Sequence, residues 1–202
     1  MTQMKAHEID FQIFGEEMQY VEIELDPQEI VVAEAGSFMM MDNNVQMQTI
    51  FGDGSEQQTG IFDKLLSAGK RVLTGESLFM TAFINQNNFK SKVSFASPYP
   101  GKIIPMFLPH LGGKVICQKD AFLCAAKGVS IGIEFQRKLG TGLFGGEGFI
   151  MEKLEGDGMA FLHACGHVIE KDLQPGEVLK VDTGCIVGFT SNVNYDIQFV
   201  GG

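Results

Sequence analysis

The side chains best suited to chemistry in this 202-residue sequence lie in one short run, His163-Ala-Cys165-Gly-His167. On an extended strand, alternate side chains share a face roughly 6.5–7 Å apart. Two imidazoles and a thiolate spaced in this way could converge on a soft divalent metal if the chain bends at Gly166. Such a site needs a fourth ligand and a rigid surround, and no fourth ligand is evident. In the alternative reading, His163 and His167 flank a turn while Cys165 packs as a small apolar side chain. No stoichiometric metal and no other cofactor is then expected.

The second candidate is a repeated carboxylate. Glu76 and Glu147 each follow a glycine and precede a strand-like pattern, in Thr74-Gly-Glu-Ser-Leu-Phe79 and Gly145-Gly-Glu-Gly-Phe149. Facing each other, they would form an acid/base pair with split pKa values. As separate turn residues, each would accept backbone N–H bonds. They stand as candidate ligand or turn carboxylates, and no residue is assigned as catalytic. Gly140-Thr-Gly142-Leu-Phe-Gly145 has the glycine spacing of a dinucleotide loop. That chemistry needs a helix N-terminus next, whereas Gly146-Glu-Gly-Phe-Ile-Met151 reads as a turn into a strand.

The elements that must position these residues read as short strands. Period-two alternation in Tyr20-Val-Glu-Ile-Glu-Leu25 sets Val21, Ile23 and Leu25 on one face and Tyr20, Glu22 and Glu24 on the other. Further strands are expected at 45–48, 77–84, 114–118, 129–133, 149–154, 159–163, 178–181 and 195–200. Turn pairs such as Asp26-Pro27, Asn43-Asn44 and Gly112-Gly113 punctuate them. The expected fold class is all-β, a sandwich or barrel-like arrangement.

The chain also resembles itself. Residues 35–49 align with 119–133, 74–80 with 145–151, and 100–106 with 175–181, in the same order. These matches put Phe38 on Phe122, Val45 on Val129 and Glu76 on Glu147. They predict one pseudo-symmetric domain over 1–202, built from two repeats at about 28–110 and 113–190. The offset falls from 84 (122 less 38) to 71 (147 less 76), which places an insertion near 50–70. Ile61, Leu65 and Leu66 share a helical face there, and Gly69 closes it, so one short helix is expected near 61–68.

Composition narrows the function classes. Hydrophobic residues make up 45% and charged residues 20%, as in a globular protein. The net charge of −10, from 25 acidic and 15 basic residues, repels a phosphate backbone, so no nucleic-acid partner is expected. The four cysteines form no CxxC pair, the N-terminus does not read as a signal peptide, and no apolar run is long enough for a transmembrane segment. A cytoplasmic location is expected, with peripheral membrane association left open.

Several runs resemble the motifs of the AIM24 family of bacterial and mitochondrial proteins. They are Ala35-Gly-Ser-Phe-Met39, Thr74-Gly-Glu-Ser-Leu-Phe79, Gly140-Thr-Gly-Leu-Phe-Gly-Gly-Glu-Gly148, Leu173-Gln-Pro-Gly-Glu177 and Val181-Asp-Thr-Gly-Cys-Ile-Val187. The resemblance implies a duplicated β fold similar to the tryptophan RNA-binding attenuator protein, TRAP-like or akin to a double-stranded β-helix, and an oligomeric assembly. It supplies no catalytic residues. Mitochondrial relatives associated with inner-membrane organisation suggest a scaffold.

The leading expectation is therefore a non-catalytic homo-oligomer, expected as a closed trimer, that binds itself and an unknown protein or small ligand. The alternatives are a metal- or carboxylate-dependent enzyme in a cupin-like β fold and, by fold analogy, an RNA-binding protein.

Overall fold

The structure, a computed structural model, describes residues 5–51, 79–137 and 149–198. The helix expected near 61–68, the GxGxxG run, Glu76 and Glu147 lie outside the described residues.

The described strands are β1 (Asp10–Phe14), β2 (Tyr20–Leu25), β3 (Ile30–Glu34), β4 (Phe38–Met41), β5 (Val45–Phe51), β6 (Phe79–Asn85) and β7 (Ser91–Ala96). They continue as β8 (Gly101–Phe107), β9 (Lys114–Gln118), β10 (Phe122–Ala126), β11 (Ser130–Arg137), β12 (Phe149–Glu155), β13 (Met159–Cys165) and β14 (Gly188–Thr190). The alternation of Tyr20–Leu25 becomes β2, with Val21, Ile23 and Leu25 buried and their neighbours partly exposed. Helical structure among the described residues consists of the 3-10 turns Leu108–Leu111, Lys119–Ala121 and Thr183–Cys185.

The strands form three antiparallel sheets: sheet A in the order β1-β2-β7-β4, sheet B in the order β5-β6-β3-β10-β13-β8, and sheet C in the order β11-β12-β9-β14. Sheet B is the middle layer. Val31 and Ala33 of β3 join Val21, Ile23, Leu25, Val93 and Phe95 in the core shared with sheet A. Val32, between them in sequence, points the other way and meets Val115, Cys117, Ile131 and Leu154 of sheet C. The run Ile30-Val-Val-Ala is apolar on both faces because both faces are covered. Phe83, Phe95 and Phe161 are wholly buried, each contributing about 1.5–3 kcal/mol by burial.

The pairing order recurs along the chain. β2-β7-β4 and β5-β6-β3 are followed by β8-β13-β10 and β11-β12-β9, with the same ladders in the same sequence order. A register shift between Phe38 and Met40 on β4 has a counterpart between Phe122 and Cys124 on β10. What joins the two sets is the β3–β10 ladder, with Ala33, Val32 and Val31 opposite Cys124, Ala125 and Ala126.

Two strand expectations differ from the structure. Residues 178–181 and 195–198 do not form strands, although their alternation resembles that of β2. Alternation yields a strand only where a neighbouring backbone completes the ladder. Val178 is 82% exposed and has no ladder partner among the described residues. Tyr195 and Ile197 instead lay their side chains on the outer face of sheet C, against Ile116, Phe149 and Met151.

Candidate functional site

The metal candidates do not meet. His163, near the end of β13, is buried beside Gly101, while Cys165 and His167 are exposed. Burial lowers the His163 pKa below the usual histidine value, and a backbone hydrogen bond with Tyr99 opposes that shift. Its Nε2 has no hydrogen-bond partner among the described residues. Among those residues, no group of three or more His, Cys, Asp or Glu side chains is placed to hold a metal ion. All four cysteines are free thiols, Cys117 and Cys124 buried, Cys165 and Cys185 exposed.

The structure brings forward a carboxyl that the sequence reading missed. Glu152 on β12 stands opposite Cys117 on β9, so both side chains share the face of sheet C turned toward sheet B. Glu152 is only 1% exposed, and its Oε2 has no hydrogen-bond partner among the described residues. Glu34, at the end of β3, and Lys119, on the turn leading from β9 to β10, pair at 3.6 Å near it. Burial above all, then the charge of Glu34, raises the Glu152 carboxyl to about 8, against the pull of Lys119. It is thus a neutral acid at neutral pH, able to donate a proton or a hydrogen bond. Burial and the nearby carboxylates also push the Cys117 thiol well up, so it is not a nucleophile. The sequence signal was a lone Glu between Ile150 and Leu154 on the apolar phase of Phe149-Ile-Met-Glu-Lys-Leu154.

The other unusual feature is a sheet edge. Among the described residues, β4 pairs with β7 on one side and leaves its other side open at the edge of sheet A. Phe38, Met39 and Met40 are 39%, 48% and 44% exposed. Met47 on β5, the edge strand of sheet B, is exposed as well. The remaining described edges are blunted in familiar ways: Asp10 on β1, Gln46 on β5, Lys102 and Pro105 on β8, Glu134 on β11, and the shortness of β14. β4, Phe-Met-Met-Met, is short and carries the register shift between Phe38 and Met40, but unlike β1, β5, β8 and β11 it has no charged, amide or proline residue. Away from β4, where Met40 lies in register with Ser94 and Glu22, the outer face of sheet A carries ion pairs, with Lys92 paired to Glu22 at 2.6 Å and Lys90 to Glu24 at 2.7 Å.

A family model described as mitochondrial biogenesis AIM24 matches residues 11–202. The chain is 28% identical over 185 residues to an uncharacterized protein of Streptococcus pyogenes serotype M6, M6_Spy0233, across 90% of this chain and 70% of that protein. Its fold is similar to the crystal structure of protein SPYM3_0169 from Streptococcus pyogenes, with a TM-score of 0.55 and 24% sequence identity. That similarity covers 78% of this chain and 65% of the other, and at this identity it speaks for the fold alone.

Proposed function

The chain belongs to the AIM24 family, and from that premise we propose that it is a self-associating β-sandwich scaffold, a homo-oligomer that presents a binding surface to another protein or a small ligand. The observation that carries this reading is the β4 edge, which no described strand covers. An exposed apolar edge strand is a template for another backbone, and a stable protein keeps one where a partner covers it. The chain is then two copies of a six-strand unit, at Tyr20–Ala96 and Gly101–Cys165 instead of the expected 28–110 and 113–190, because the pairing order matches β8 with β2 and not with the irregular 175–181. The recurring pairing order and the matching register shifts on β4 and β10 support it. Symmetric closure of such units, as a trimer, gives each β4 edge a neighbouring copy to cover it, while the blunted edges β1, β5, β8 and β11 need no partner. Free thiols and the lack, among the described residues, of any helix long and apolar enough to cross a membrane accord with a cytoplasmic setting. Sedimentation velocity at micromolar concentrations is expected to show a trimer. A monomer throughout that range would reject the reading.

A further inference from the structure

The β4 edge has a complement within the chain itself, and its identification rests on the self-association reading above. On β3, the residues Ala33, Val32 and Val31 take Cys124, Ala125 and Ala126 of β10. The residues 84 positions further on are Cys117, Ile116 and Val115 of β9 (33, 32 and 31, each plus 84). These are the residues that take Gly188, Phe189 and Thr190 of β14. A three-residue strand from the C-terminal segment thus holds, residue for residue, the edge of β9 that corresponds to the β10-binding edge of β3. The strand corresponding to β10 is β4, where Met40 and Met41, with Asp42 just past its end, stand 84 positions before Cys124, Ala125 and Ala126.

Hydrogen-bond direction agrees. The Lys127 N–H donates to the Ile30 carbonyl, so by alternation the Ala125 N–H points toward β3. The Asp42 N–H donates to the Lys92 carbonyl of β7, so by alternation the Met41 N–H points away from β7, to the edge open among the described residues. Packing agrees too. Val32 is wholly buried by sheet C, while its counterpart Ile116 is covered by Ile186, Phe189, Tyr195 and Ile197. That cover is imperfect: a cavity of about 60 Å³ remains between Phe149 and Met151 below and Phe189 and Tyr195 above.

We propose that β14 and the chain around it form an intramolecular plug on the β9 edge, which gives way to β4 of a second copy. Sheet C of one copy then runs into sheet A of the next as β11-β12-β9-β4-β7-β2-β1, just as β5-β6-β3 runs into β10-β13-β8 within one chain. The contact is head-to-tail, the type that closes into rings. Because the plug must leave first, the apparent affinity between copies falls by the fraction of chains that are unplugged. The C-terminal segment therefore sets the concentration at which the protein assembles.

A reversible lock tests this in the full chain. The Gln118 N–H donates to the Val187 carbonyl, which makes Val115 and Thr190 a ladder pair without mutual hydrogen bonds, where side chains come closest. Val115→Cys with Thr190→Cys, in a Cys165→Ser, Cys185→Ser background, fastens the plug when oxidised. Oxidation is expected to lower the assembled fraction about tenfold or more at fixed micromolar concentration, and reduction to restore it. Met40→Lys is expected to abolish assembly in the unlocked chain, since the corresponding Cys124 is wholly buried in its ladder. If the oxidised chain assembles as the reduced one does, or if Met40→Lys leaves assembly intact, the plug is refuted while self-association stands. A reduced, unlocked chain that stays monomeric overturns both.

Discussion

Replacing Glu152 by glutamine asks whether the chain holds a neutral carboxylic acid between two of its sheets. Burial, reinforced by Glu34, raises that group from an ordinary 4.5 to about 8. The interval is roughly 3.5 pH units, and at 1.36 kcal/mol per unit it corresponds to on the order of 5 kcal/mol between the protonated and ionised forms. Local relaxation and water entry reduce the measurable part to about 2–5 kcal/mol. The folded chain keeps a proton that the unfolded chain releases over this range. The contribution is therefore full below about pH 4.5, declines as pH rises, and is lost above about pH 8. Glutamine has nearly the same shape and does not ionise. The variant is expected to match the parent near pH 5 and to exceed it by about 2–5 kcal/mol near pH 9. Denaturant unfolding of both proteins at about pH 5, 7 and 9 measures the difference, with m-values compared to confirm two-state behaviour. Taking the difference between the two proteins cancels the other titrating groups. A difference that does not grow with pH refutes the argument.

Other substitutions probe the frame that sets these features in place. Asn85 is wholly buried, donates to the carbonyls of Leu25 at 2.9 Å and Phe89 at 2.8 Å, and accepts from Ser91 Oγ at 3.2 Å. Asn85→Ala is expected to lower stability by about 2–4 kcal/mol, and a loss below about 1 kcal/mol in urea melts would contradict its role as the clasp between two turns. A methyl group at Gly101 would run into the Ala164 carbonyl oxygen and His163 Nε2. Gly101→Ala should therefore cost about 2–4 kcal/mol, and an unchanged melting temperature would show that the β8–β13 contact is looser than drawn. Elemental analysis of the purified chain is expected to find no stoichiometric metal at His163, Cys165 and His167. About one zinc or iron per chain, lost in the His163→Ala, His167→Ala variant, would favour the metalloenzyme alternative. RNA and DNA should bind weakly near physiological salt, given the charge of −10. Submicromolar affinity with a steep salt dependence would reverse that expectation.

The local elements were legible in the sequence because their causes are local. Alternation located β2, the Gly112-Gly113 turn preceded β9, and the run 114–118 coincides with β9 from end to end. The aligned blocks 35–49 and 119–133 fall on β4 and β5 and on β10 and β11, since the same side-chain phase suits the same pair of faces. Which edge meets which edge was not legible. The β3–β10 ladder joins residues about 90 positions apart, and the closing of so long a loop is decided by the whole packed arrangement rather than by either strand. The C-terminal alternation at 178–181 has the phase of a strand, yet with no ladder partner among the described residues it remains irregular. Glu152 shows the same division. Composition counts it as one acid among 25, and only the stacking of sheet C on sheet B removes it from water and makes it hold its proton. The β4 edge, open among the described residues, is likewise a property of position, because Phe-Met-Met-Met would be ordinary core in the place that Phe-Leu-Cys-Ala occupies on β10.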